Sequence, residues 1–225
     1  MSENENENES SSAPKISARE LGRIARIGEE LGEGIESLAD IGPAVTIFGS
    51  ARTKAECREY RQAQELARRL SAEGIAVITG GGPGIMAAAN SGASEEIGAS
   101  IGLRIELPFE EAANPHLDVD LDFRYFFTRK YFLMRDAIGF AIFPGGFGTA
   151  DELFELLTLT QTGKLRKRPI VLIGKDFWQD LYLWMEKQLQ SNSYISDDDM
   201  NLVEIVDDVE AAAAILLASY REGTS

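Results

Sequence analysis

The chain has 225 residues and a mass of 24.6 kDa, with 22 basic against 37 acidic side chains and a formal net charge of −15. Its 44% hydrophobic and 26% charged residues suit a single globular core built without staples. So acidic a chain repels a phosphate backbone at long range, and one cysteine (Cys57) with one histidine (His116) excludes a disulfide framework, a multi-cysteine metal site and most zinc chemistry. Residues 1–14 are mostly Glu, Asn and Ser, with almost nothing to bury, and read as a disordered acidic tail. That start is polar where a signal peptide is basic and then apolar, and no apolar run reaches the roughly 18 residues that cross a bilayer. A cytoplasmic protein without membrane or nucleic-acid partners is expected. Over 15–41 Leu21, Ile24, Ile27, Leu31, Ile35 and Leu38 recur at helical spacing, which predicts an amphipathic helix interrupted at Gly32 and Gly34.

From 42 to 225 short apolar runs alternate with helical patterns. Strands are expected at 44–48, 76–79, 100–105, 138–143 and 170–173, with a short one near 202–206. Helices are expected at 55–72, 84–97, 129–137, 149–161, 177–190 and 209–220. Apolar strands without polar alternation, separated by helices, predict an α/β fold: a doubly wound parallel sheet, Rossmann-like, in one domain behind the N-terminal helix and tail. Ligands of such sheets sit beyond the carboxyl ends of the strands, so the residues after each strand are where chemistry is sought.

Three post-strand turns stand out: Phe48-Gly49-Ser50-Ala51-Arg52, Thr79-Gly80-Gly81-Gly82-Pro83-Gly84-Ile85-Met86 and Pro144-Gly145-Gly146-Phe147-Gly148-Thr149-Ala150-Asp151-Glu152. Two of them run straight into a helix, where glycines let the backbone approach a ligand and free N–H groups attract anions. Together they point to a phosphate-bearing ligand. Ile85 stands where the dinucleotide fingerprint needs glycine, and neither loop has the lysine of a Walker A motif. A mononucleotide fits better than a dinucleotide or a P-loop triphosphate. Gly146 is expected at positive φ, and Thr149 and Glu152 have the spacing of an N-cap and its capping box. Arg129 and Lys130 fall near a predicted helix start, where the macrodipole disfavours cations, so an anionic partner is expected there. Tyr131, Phe132, Leu133 and Met134 form an apolar run too broad for one helix face, and a second subunit is expected to cover part of it.

The nine residues Pro144–Glu152 match the PGGxGTxxE signature of the LONELY GUY (LOG) family, the cytokinin riboside 5′-monophosphate phosphoribohydrolases, whose members are often called lysine decarboxylases in error. The resemblance extends to Gly80–Met86, the Arg129-Lys130 pair and Arg135, and spans roughly 45–205. The segments Leu107-Pro108-Phe109-Glu110 and Phe126–Lys130, with the N-terminal helix, are similar to the longer bacterial members. A decarboxylase would need a Schiff-base lysine for pyridoxal phosphate, and no lysine lies within the glycine loops.

The resemblance implies an N-glycosyl hydrolase acting on a purine nucleoside 5′-monophosphate, cytokinin-type or AMP, and releasing free base and ribose 5-phosphate without cofactor or metal. Glu152 would stabilise an oxocarbenium-like ribose or activate water. Arg129 and Arg135 would bind phosphate and orient Glu152. Gly81, Gly82, Gly84, Gly145, Gly146, Phe147, Gly148 and Thr149 would cradle the phosphate, with Glu110, Lys130 and Thr158 as further substrate contacts. A homodimer or larger homo-oligomer is implied, with the site completed at the subunit interface. The alternative is a non-catalytic nucleotide-binding sensor or carrier, which needs the glycine loops but not the carboxylate.

Overall fold

A computed structural model describes residues 16–107 and 114–223. The tail over 1–14 and the substrate contact expected at Glu110 lie outside the described residues. The aliphatic runs become strands buried on both faces: β1 (Ala44–Phe48), β2 (Ala76–Thr79), β3 (Ser100–Ile105), β5 (Ala137–Ile142) and β6 (Ile170–Ile173). Two more complete the sheet, β4 (Val119–Phe123) and β7 (Val203–Val206). All pairings are parallel, in the order β4-β3-β2-β1-β5-β6-β7. The expected doubly wound Rossmann-like sheet is therefore what forms. The chain leaves β1 in one direction to β4 and restarts on its other side at β5, so the topological switch lies between β1 and β5.

Helices cover both faces. On one lie α1 (Ala18–Ser37), α4 (Phe126–Arg135), α5 (Phe147–Gln161) and α6 (Lys175–Trp184), over a core that includes Phe48, Phe132, Phe140 and Leu153. On the other, α2 (Arg58–Ala72), α3 (Ile85–Ala93) and α7 (Val209–Gly223) cover Val45, Ile47, Leu66, Ile85 and Leu216. Successive β1 residues thus feed opposite cores, as the period of two requires. Beyond α6 the chain continues in π-helical turns over Met185–Gln190 and a 3₁₀ segment over Asp197–Leu202.

Two local expectations change. Gly32 and Gly34 do not interrupt α1, which runs unbroken behind a Ser17–Glu20 capping box. Gly34 instead lies against the Phe132 ring, and a side chain there would overlap it. The second change is β4, which the sequence did not announce. Its VDLDF sequence exposes every second residue because it is an edge strand, with a neighbour on one side only.

Candidate active site

The three singled-out loops converge where the sheet topology switches. Ser50 donates its N–H to the Pro144 carbonyl (3.1 Å), and its own carbonyl accepts from Ile85 N–H (3.0 Å), so the β1 loop is strapped between the other two. Gly84 has φ 67°, and a Cβ there would run into the backbone of Ser50 and Ala51. Only glycine permits both the turn and that approach. Between the loops opens a cleft of about 810 Å³, with walls from 49–52, Gly80, Met86, the first turns of α4 and residues 145–152.

Helix α5 starts at Phe147 behind Gly146, and no side chain caps it. Its first-turn amides, those of Phe147, Gly148 and Thr149, are left without intrahelical partners beside the cleft, where the macrodipole favours an anion. The Thr149–Glu152 capping box expected from spacing does not form, because the helix begins two residues earlier and Glu152 sits in its second turn. Gly146 has φ −95° rather than a positive value, and a Cβ there would meet open space. Freed from capping, the Glu152 carboxyl lines the cleft. Burial pushes its pKa up to about 7; Asp151 and Glu155 add to the rise, while Arg129 and Lys130 oppose it.

Arg129 is only 8% exposed, and its Nε donates to the Leu103 carbonyl at 2.8 Å. Its guanidinium lies against Gly80, where any side chain would displace it. Gly80, from a motif already singled out, therefore serves by being small. Helix α4 begins at Phe126, which puts Arg129 and Lys130 beyond the first turn and removes the macrodipole argument for them. Lys130 Nζ contacts Glu155 Oε2 at 2.6 Å and Asp151 Oδ2 at 3.0 Å. Burial pulls the Lys130 pKa down, but the bonds to Glu155 and Asp151 outweigh it and hold the value above the ordinary one.

The structure does not bring every expected residue to the cleft. Gly81, Gly82 and Gly84 are buried behind its wall, with the Gly81 amide already bonded to Thr79 Oγ1 (2.9 Å); Gly80 lines the cleft in their place. Arg135 is six residues from Arg129, or about 120° away around the helix. It points into a different groove, with Nε held by Asp136 at 2.7 Å. Thr158 is likewise six residues beyond Glu152. Its hydroxyl donates to the Phe154 carbonyl (2.8 Å), and it lines a separate pocket of about 180 Å³ near Met185 and Met200. Phe132, Leu133 and Met134 are buried within this one chain, so the apolar run no longer calls for a second subunit; only Tyr131, 47% exposed, is left over. Sequence reasoning missed Arg52, Met86 and Phe126 as lining residues. All three stood in segments already singled out, Arg52 and Met86 in the glycine turns and Phe126 at the start of the Phe126–Lys130 segment, but only the fold turns them toward the cleft.

The family model described as "Possible lysine decarboxylase" matches residues 86–216, more than half of the chain. The chain belongs to that family. The chain is also similar to proteins named for a different reaction. The chain is 30% identical over 146 residues to the cytokinin riboside 5′-monophosphate phosphoribohydrolase LOG of Oryza sativa subsp. japonica, covering 63% of this chain and 59% of that protein. It is 24% identical over 176 residues to the cytokinin riboside 5′-monophosphate phosphoribohydrolase of Rhodococcoides fascians, covering 77% and 88%. Among solved structures, a structural-genomics target matches at 29% identity with TM-score 0.58, over 78% of this chain and 99% of its own. The molybdenum cofactor carrier protein of Chlamydomonas reinhardtii, at 22% identity and TM-score 0.59 over 80% and 98%, shares the fold.

The residues present do not fit the pyridoxal phosphate that a decarboxylase would carry. Lys130 is the one lysine among the described residues lining the cleft, and two carboxylates hold it as an ammonium. A Schiff-base lysine needs the reverse, a lowered pKa and a free amine.

Proposed function

We propose that the protein hydrolyses the N-glycosidic bond of a purine nucleoside 5′-monophosphate, cytokinin-type or AMP, to free base and ribose 5-phosphate. The observation that carries this reading is Glu152, a carboxyl titrating near neutrality in a cleft it shares with Arg129 and an uncapped helix N-terminus. The first-turn amides of α5 and the exposed Arg52 supply donors for the 5′-phosphate. As a carboxylate, Glu152 would offset the positive charge growing on the ribose and take the proton of the attacking water, whose oxygen ends on C1′. The departing base leaves with the bonding electrons and takes a proton from solvent water, while Glu152 returns to solvent the proton it took, so that one water is consumed in all. Arg129 opposes the rise in the Glu152 pKa and so keeps more of it ionised at neutral pH. The names of the rice and Rhodococcoides relatives support the same reaction class.

The test is incubation of the purified protein with AMP and with isopentenyl-AMP, followed by chromatography for free base. Release of base from either supports the proposal. Binding of both nucleotides without release would overturn it and leave a nucleotide sensor or carrier.

A further inference from the structure

Many cations of this acidic chain already hold a carboxylate: Arg68, Arg69, Arg104 and Arg124 each do so at 3.0 Å or less. The connection from α5 to β6 differs. Lys164, Arg166, Lys167 and Arg168 fall within five residues, and among the described residues none has a side-chain ion pair or hydrogen bond. Lys164 and Arg166 are exposed and Arg168 half-buried. Such clustering is unfavourable through mutual repulsion unless something of opposite charge offsets it.

Three of these cations, Lys164, Arg166 and Arg168, line a groove of about 610 Å³ against α4. The groove also has two carboxylates, but both are engaged: Asp136 by Arg135 at 2.7 Å and Glu155 by Lys130 at 2.6 Å. Its uncompensated charge is therefore that of the three cations. Two aromatic rings share the lining, Phe127 at 53% exposure and Tyr131 at 47%, and the Arg135 guanidinium lies 5.8 Å from the centre of the Tyr131 ring. Flat apolar surface next to unpaired guanidinium and ammonium groups suits a ligand with a planar ring and several phosphates.

We propose that this groove is a second ligand site, next to the cleft and divided from it by Lys130, that binds a nucleoside polyphosphate. Lys164, Arg166 and Arg168 take the phosphates, and Tyr131 and Phe127 take the base. A monophosphate would leave part of the charge unmatched, which separates this site from the one around Glu152. The site does not depend on the reaction proposed for the cleft.

Calorimetric titration of the full chain with ATP, inorganic triphosphate and AMP tests it. The variant Lys164→Gln/Arg166→Gln/Arg168→Gln should bind ATP roughly tenfold or more weakly while its AMP affinity is unchanged. Tyr131→Ala should weaken ATP several-fold and leave inorganic triphosphate as in wild type. ATP affinity unchanged in the triple variant overturns the site. Equal affinity of the wild type for ATP and inorganic triphosphate overturns its assignment to a nucleotide. If the triple variant melts early, Lys164→Gln/Arg166→Gln, both at exposed positions, carries the same expectation of weakened ATP binding.

Discussion

Burial leaves the Glu152 carboxyl with a pKa of about 7, whereas in the unfolded chain it ionises near its ordinary 4.5. Between those two values the folded state holds the extra proton, so stability falls as pH rises through that window and is lowest above it. Glu152→Gln removes the effect. The variant should exceed wild type in urea stability at pH 8 by up to about 3 kcal/mol and match it below pH 4.5. Equal midpoints at pH 8 would show that the carboxyl is not desolvated. The same variant should lose base release while keeping nucleotide affinity within about tenfold, because an amide keeps the size but not the charge. In the wild type kcat/KM should rise with pH to a plateau with an inflection near 7; a flat profile from pH 5 to 8 would remove Glu152 as the base. Two glycines separate support from ligand approach. Gly80→Ala displaces the Arg129 guanidinium, so it should cost about 1–3 kcal/mol in stability and most of the turnover. Gly146→Val points into open space at ordinary φ, so it should melt close to wild type but bind AMP weakly, because the side chain stands where a phosphate would approach.

Helix α1 carries Gly22, Gly28, Gly32 and Gly34, an unusual density for an element without a break. Propensity alone would make any glycine-to-alanine change there stabilising by about 0.5–1 kcal/mol. Gly28→Ala and Gly32→Ala should show that gain, since nothing lies within 4 Å of the added methyl. Gly34→Ala should instead destabilise by about 1–3 kcal/mol, because its Cβ enters the Phe132 ring, which is itself fully buried. Urea titration of the three variants checks the sign of each change. A stabilised Gly34→Ala would mean that α1 shifts freely on α4. That contact adds to the Thr128 hydroxyl, which donates to Glu30 Oε2 at 2.6 Å, in fixing the helix that carries Arg129.

Across the whole molecule, β1 lies at the centre of the sheet with every residue buried, while β4 at one edge alternates exposed and buried positions. Opening the edge strand breaks one ladder, whereas opening β1 breaks two ladders and both cores. Hydrogen exchange should therefore be slowest at Val45, Thr46 and Ile47 and much faster at Asp120 and Asp122. Similar protection in β1 and β4 would mean that the sheet opens only as a unit. The cleft is built at the central end, so its loops rest on the strands expected to open last.

Parallel strands were legible because Ala44–Phe48 and Ile170–Ile173 are apolar without alternation, a pattern only a sheet covered on both faces tolerates. The glycine turns were legible for a similar local reason, since each sits directly after such a run. The edge strand β4 was not, because its polar residues carry no mark that distinguishes them from a loop until β3 pairs with them. Local pattern marked Glu152 and Arg129, and the family resemblance added Arg135 and Thr158, but neither could separate the two pairs: six residues along a helix turn a side chain away from the face its neighbour occupies. Even the apolar run 131–134 was ambiguous, because what covers a helix is set by how α1, α4 and the sheet close around it. The sequence by itself therefore determined the kind of sheet and the end of it where the glycine turns gather. Which cations reach the carboxylate, and how far burial raises its pKa, were decided only in three dimensions, because direction around a helix and exclusion of water depend on residues far apart in the chain.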